Sequence, residues 1–192
     1  AFGQVIQRFQ PANHAVRGDL GMKFALLTTE IITVCLALFI TIMDLIIPEK
    51  ESRRGLGYLT VLGLTGIFAH TFTQYGIGAT FYKGMFIVDN YAVFFKQLFL
   101  LASMLTLLFS FDYVDSLPRH RGEFYAMMVF VVLGMMIMAS ANDFLTLYVS
   151  MELMTITFFI LVGYIVGNGK SSEASMKYLI IGASSTAVLL YG

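Results

Sequence analysis

The sequence predicts an all-α, polytopic membrane protein with about six transmembrane helices. Three observations carry that prediction. The 192 residues are 58% hydrophobic and 12% charged, whereas a soluble domain usually carries about twice that charged fraction. Mean hydropathy is +0.79, and several apolar runs reach the ~20 residues a helix needs to cross the hydrocarbon core. Strand-period alternation is missing from these runs, which argues against a membrane β-barrel.

The first element, residues 1–21, is different in kind: AFGQVIQRFQPANHAVRGDLG is polar and carries Pro11, Arg8 and Arg17. It lacks the apolar core and small-residue cleavage site of a signal peptide. Met22-Lys23 opens the first hydrophobic run, so Met22 is a candidate natural start and the stretch before it a leading segment of unclear origin. Six spans follow, at about 24–47, 56–74, 90–111, 124–140, 143–166 and 174–192. Pro48 closes the first, because proline cannot continue a helix hydrogen-bond ladder. The connections PEKESRRG, TQYGIGATFYKGMFIVD, FDYVDSLPRHRGE, SAND and GNGKSSE are short, which favours one bundle, spanning 22–192, over two domains. The last span reaches Gly192 without cap or polar tail, and the expectation is a fragment of a longer membrane protein, truncated at its C-terminus.

Loop charge sets orientation. Lys50, Arg53 and Arg54 fall in the first loop, Arg119 and Arg121 in the third, and Lys170 in the fifth. The second loop has Lys83 and the fourth has none. Odd-numbered loops are therefore expected to be cytoplasmic and the N-terminus outside, although Arg8, Arg17 and Lys23 oppose this. Tyr58, Tyr75, Tyr91, Tyr113, Tyr125 and Tyr164 lie near span ends, as an aromatic belt would.

Several functions are disfavoured. The formal net charge is zero, so no basic field points to nucleic acid. A lone cysteine, Cys35, makes neither an internal disulfide nor a metal site, and His14, His70 and His120 have no ligand spacing. Phosphate-binding glycine loops and nucleophile elbows are absent. Gly55, Gly57, Gly63 and Gly66, with Gly182–Ser185 later, read as close helix packing, and GMMIMAS as flexible core.

The charges inside the spans carry the functional signal. Glu152 lies ten residues past Asn142 and fifteen before Gly167, so it is roughly 15 Å from the outer end. A short carboxylate cannot reach water over that distance. It must face the bundle interior, a hydrated cavity or a cation. Isolation favours its neutral form and a neighbouring lysine its charged form. The structural alternative is a glutamate that locks helices together. Lys177 follows Glu173 by four residues, which fits a local ion pair at the interface; the functional alternative is a buried lysine that exchanges protons. Their depths differ by roughly 10 Å, which makes them successive stations rather than a direct pair. Lys96 lies about two turns into its span and either snorkels or acts. Glu30 and Asp44 flank the first span within reach of interfacial water.

These residues sit in recognisable contexts. EFYAMMVFVVLGMMIMASANDFLTLYVSMELMTITFFILVGY (123–164) and SSEASMKYLIIGASSTAVLLYG (171–192) resemble the subunit N family of proton-pumping NADH–quinone oxidoreductase, respiratory complex I. DNYAVFFKQLFLLASMLTLLFSFDYV (89–114) resembles the third helix of that family, and the first span resembles its opening helix, with Glu30 and Asp44 at matching places. The resemblance covers about 22–192.

It implies the first part of a 14-helix, antiporter-like fold built from inverted repeats. It also implies that Glu152 tunes lysines on a proton path and that Lys177 is one of those lysines. The family's central lysine, on a broken seventh helix, would lie beyond Gly192. Other implications are a multi-pass place in the bacterial inner membrane, partners among the other membrane subunits of complex I, and no cofactor in this chain. NADH, FMN, iron–sulfur clusters and quinone would belong to other subunits. A cation/proton antiporter, a membrane-bound hydrogenase subunit and a truncated scaffold or assembly fragment remain alternatives.

Overall fold

A computed structural model describes residues 27–47, 54–76, 78–81, 84–117 and 121–192. The leading segment 1–21, Met22-Lys23, and the loop charges Lys50, Arg53, Lys83 and Arg119 lie outside the described residues. Six helices follow one another: α1 Thr28–Ile46, α2 Arg54–Thr71, α3 Asn90–Ser116, α4 Arg121–Ala139, α5 Phe144–Val162 and α6 Gly169–Tyr191. All six are long and apolar enough to cross a membrane; a short 3-10 turn extends α2 to Gln74.

Side-chain caps explain three of the six helix starts. Asp89 accepts the Ala92 amide at 2.7 Å, Asp143 the Thr146 amide at 3.1 Å, and Asn168 the Lys170 amide at 3.0 Å. Each side chain satisfies one of the amides that a helix start leaves without a partner. The Asn168 cap is why α6 begins at Gly169, five residues before the hydropathy-based estimate of 174. The polar first turn GKSSE belongs to the helix although it is not apolar. Likewise α3 runs to Ser116 rather than 111. Its 27 residues span about 40 Å, more than the ~30 Å hydrocarbon core, so its polar end emerges. There Asp112 meets Arg54 at 3.0 Å and Asp115 meets it more closely, tying the end of α3 to the start of α2.

The second loop contains an element the sequence reading lacks. Two short strands, β1 Ala79–Phe81 and β2 Phe86–Val88, pair antiparallel with Ala79 opposite Val88, Thr80 opposite Ile87 and Phe81 opposite Phe86. Gly84, at φ 95°, stands in the turn, where left-handed backbone suits glycine. The hairpin is tied to the α4–α5 turn. The Ile87 amide donates to Ser140 O at 2.9 Å, the Asn142 amide to Met85 O at 2.9 Å, and Asn142 Nδ2 to Gly84 O at 2.7 Å.

The first four helices form a ring. α1 packs on α2 and α4, and α3 packs on the same two helices. Leu64, Leu100, Leu107, Tyr125, Val129 and Met136 fill its interior. α4 is the most enclosed helix. α5 packs on α4 outside the ring, and α6 packs on α5 with no buried residue of its own. Between lipid-facing helices the hydrophobic effect offers little drive, so close approach at small residues matters more. A Cβ on Gly134 would stand 3.1 Å from both Met154 N and Ser150 O. Those are backbone atoms, so the α4–α5 contact exists at this distance because residue 134 has no side chain. Of the four glycines in α2, Gly57 and Gly63 face neighbours, whereas Gly55 and Gly66 have open space around them.

Gly134→Val is expected to cost about 1–3 kcal/mol through overpacking against backbone that cannot step aside. Gly66→Ala, with nothing in its way, should leave stability unchanged or raise it. Thermal unfolding of the two variants in the same detergent checks this contrast.

Candidate functional site

Alternating helix direction gathers one set of ends on the side of the hairpin: the starts of α1, α3 and α5 and the ends of α2, α4 and α6. Two charged sites arise from this layout, one inside the ring near the hairpin and one on the outlying pair α5–α6.

The ring site joins two residues that the sequence reading kept apart. Glu30, in the first turn of α1, and Lys96, in the second turn of α3, form an ion pair with Nζ 2.5 Å from Oε1. Lys96 is 0% exposed and Glu30 is 6% exposed. Glu30 stands near a span end, as expected, but it does not open to interfacial water: α1 turns it towards the ring interior. Lys96 does not snorkel either, because its stem runs into the bundle. The Lys96 ammonium also lies 5.4 Å from the centre of the Phe86 ring, within cation–π range. The approach of Lys96 to Glu30 is close but poorly angled for a hydrogen bond, and Lys96 Nζ and both Glu30 oxygens lack an aligned partner among the described residues. Attraction at this distance is large in a low-dielectric interior, yet two desolvated charges still cost free energy that further hydrogen bonds ordinarily offset.

The outlying site holds Glu152. On α5, Ser150 and Met154 face α4 at Gly134. Glu152 lies two residues from each, so it projects from another side. Thr155 and Phe159 face α6, where a Cβ on Gly182 would meet the Phe159 ring at 2.7 Å. Glu152, Thr155 and Phe159 follow three- and four-residue spacing and share that stripe. Glu152 is half-buried, with Oε1 enclosed and without a hydrogen-bond partner among the described residues.

Lys177 is not at this place. Its side chain is 70% exposed, and it bonds Glu173 Oε1 at 2.5 Å within α6. Its neighbour Ser175 faces α5, donating to Phe159 O at 2.9 Å, so Lys177 projects elsewhere. Helix register places Lys177 roughly 10 Å along the bundle from Glu152. Among the described residues no ion pair joins them.

Asp44 lies at the far end of α1, half-buried, its carboxylate occupying the space beside Gly122 in the first turn of α4. A helix start favours negative charge there. With Thr41, Glu123 and Phe130 it lines a small cavity of about 220 Å³. Nearby Tyr164 packs edge-on against Phe124 at 5.9 Å. Burial, and then the Glu123 carboxylate, push its phenol above the usual tyrosine range. Cys35 is exposed on the outside of α1. The sequence reading missed the ring pair because its partners are 66 positions apart, since 96 − 30 = 66. The usable signal was two opposite charges, each one to two turns inside a span on the same side of the membrane.

A family profile described as NADH:quinone oxidoreductase/Mrp antiporter, TM, matches residues 141–192, the segment that holds Glu152 and Lys177. The chain is 56% identical over 171 residues to the NADH-quinone oxidoreductase subunit N of Heliobacterium modesticaldum, covering 89% of this chain and 36% of that protein. It is 47% identical over 175 residues to the subunit N of Desulfitobacterium hafniense, covering 90% of this chain and 35% of that protein. A chain in the respiratory complex I of Thermus thermophilus with bound aureothin matches with a TM-score of 0.69 at 26% identity, over 85% of this chain and 35% of that one. A chain of an archaeal membrane-bound sulfane sulfur reductase shares the fold, with a TM-score of 0.69 at 24% identity over 88% of this chain and 36% of that one. The chain thus spans about a third of the length of the curated relatives it matches.

Lys177→Ala is expected to lower the unfolding temperature little, because an exposed i,i+4 pair contributes under about 0.5 kcal/mol. A larger loss in a thermal melt would mean that Lys177 is buried against something in the full-length protein.

Proposed function

We propose, on the premise that this chain resembles NADH-quinone oxidoreductase subunit N over about a third of that protein's length, that it forms part of a membrane subunit coupling electron transfer from NADH to quinone with proton translocation. In this reading it lies in the bacterial inner membrane among the other membrane subunits of the complex, with the hairpin end of the bundle on the outer side. NADH, FMN, iron–sulfur clusters and quinone are held by other subunits, and this chain contributes charged side chains within the bilayer.

The observation that carries the proposal is Glu152 itself. It is a carboxylate halfway along α5, enclosed at one oxygen, without a partner among the described residues. It lies in the segment matched by the family profile. A carboxylate at that depth interacts strongly with any cation brought to its face. Its stripe continues onto the α6 side, and α6 has no buried residue. Further helices of the longer relatives would bring a cation to this face. The role of Glu152 is then to set the proton affinity of a lysine supplied there, with Lys177 as a neighbouring station nearer the opposite side.

The family description also names antiporters, and this favours a second reading: exchange of a cation for protons, independent of electron transfer. The two readings separate by energy source. In the first, proton movement requires NADH oxidation. In the second, an imposed cation gradient suffices.

Glu152→Gln in the full-length protein is expected to leave the complex assembled and oxidising NADH while lowering the protons moved per electron. Reconstituted vesicles with a pH-sensitive dye measure this ratio. An unchanged ratio would remove Glu152 from coupling.

A further inference from the structure

The pair formed by Glu30 and Lys96 is not used by the proposed path through Glu152, and it lies on the other side of α4. Its surroundings have three features. First, it is capped. Leu27, just before α1, and Val93, in α3, stand three residues before Glu30 and Lys96 respectively, one turn nearer the hairpin end. Both pack with Phe86, Val88 and Ile137 into a separate apolar cluster. That cluster is a plug between the pair and the hairpin end of the bundle. Second, the plug is fastened. Phe86 bridges to Ala141, and the neighbouring hairpin residues bond the α4–α5 turn, so the plug is joined to the turn from which α5 and Glu152 descend. Third, polar atoms accumulate at this end of the ring. Thr29 Oγ1, Gln97 Nε2 and Ser140 Oγ are enclosed without hydrogen-bond partners among the described residues, in addition to the unaligned atoms of the pair. Enclosed polar groups of this kind ordinarily bind water.

We infer that Glu30 and Lys96 form a second proton-exchange site, inside the four-helix ring and sealed from the hairpin side by the Phe86 plug. This inference rests on the proton-translocating reading above. The resting pair, carboxylate with ammonium, holds one exchangeable proton. A proton delivered by water enclosed beside the pair binds a Glu30 oxygen and leaves a carboxylic acid beside the ammonium. Lys96 then releases a proton to water on the inner side of the plug. Transfer from the Glu30 hydroxyl to the Lys96 amine restores the ion pair. One proton enters, one leaves and no other bond changes. A purely structural pair needs good hydrogen bonds at both partners, whereas this one has charge proximity without alignment.

Arginine separates the two roles, because it keeps the positive charge but does not release a proton. The full-length protein in its complex is reconstituted in vesicles, and protons moved per electron from NADH to quinone are measured for three variants. Lys96→Arg and Glu30→Gln/Lys96→Met are expected to assemble, oxidise NADH, and lose proton movement to the extent that Glu152→Gln does. Methionine approximates the lysine stem, so the double variant removes both charges together. Normal proton movement in either ring variant overturns the inference. Failure of both to assemble also overturns it, since folding alone would then account for the pair. If Glu152→Gln alone is normal while the ring variants are impaired, the Glu152 reading fails and the ring site stands by itself.

Discussion

The physical constraint behind this structure is the cost of charge in a low-dielectric bundle. A lysine and a glutamate enclosed among apolar helices must find each other, and here they do so across the inside of a four-helix ring. The pair of Glu30 and Lys96 fixes where α1 stands relative to α3, two helices that share neighbours in α2 and α4. Apolar side chains alone specify this poorly, because lipid tails offer them almost equal company. Sliding either helix by one turn would move the charges about 5.4 Å apart along the axis and leave each desolvated. The hairpin extends the same logic, placing an aromatic face over the ammonium and closing that end of the ring.

The remaining helices obey a different rule. α5 approaches α4 because Gly134 lets backbone meet backbone, and α6 approaches α5 because Gly182 admits the Phe159 ring. Neither contact involves charge. That leaves Glu152 free of structural duty within the described residues, which distinguishes it from Glu30. One carboxylate is bound to a cation in its own chain. The other is held half-buried on a stripe facing an exposed helix. The bundle therefore carries one carboxylate whose cation lies within the described residues and one whose cation does not.

Much of this was legible in the sequence. Hydropathy alone located six helices, because lipid imposes length and apolarity on every span. Glu152 stood out because no snorkelling geometry exists for a short side chain at that depth. Polar helix ends were less legible. GKSSE and FDYVDS look like loop by hydropathy, yet Asn168 caps the first, and Arg54 ties down the second through Asp112 and Asp115. The hairpin was missed because each strand is three residues long, too short for alternation to register. The ring pair was missed for a deeper reason. Glu30 and Lys96 each fit a rule for single residues near a span end, and those rules place them in water. What buries them is the other residue, and a single sequence does not print pairings across 66 positions.

The central claim, that one buried ion pair registers the ring, is tested most directly by a double-mutant cycle. Glu30→Gln, Lys96→Met and the double variant are compared with the parent by thermal or denaturant unfolding of the full-length protein in one detergent. The account predicts strong coupling: each single change leaves a buried charge unpaired, so the double variant loses less stability than the sum of the two, by about 1–3 kcal/mol. Additive losses would contradict it, because they would mean that Glu30 and Lys96 do not depend on each other in the folded protein.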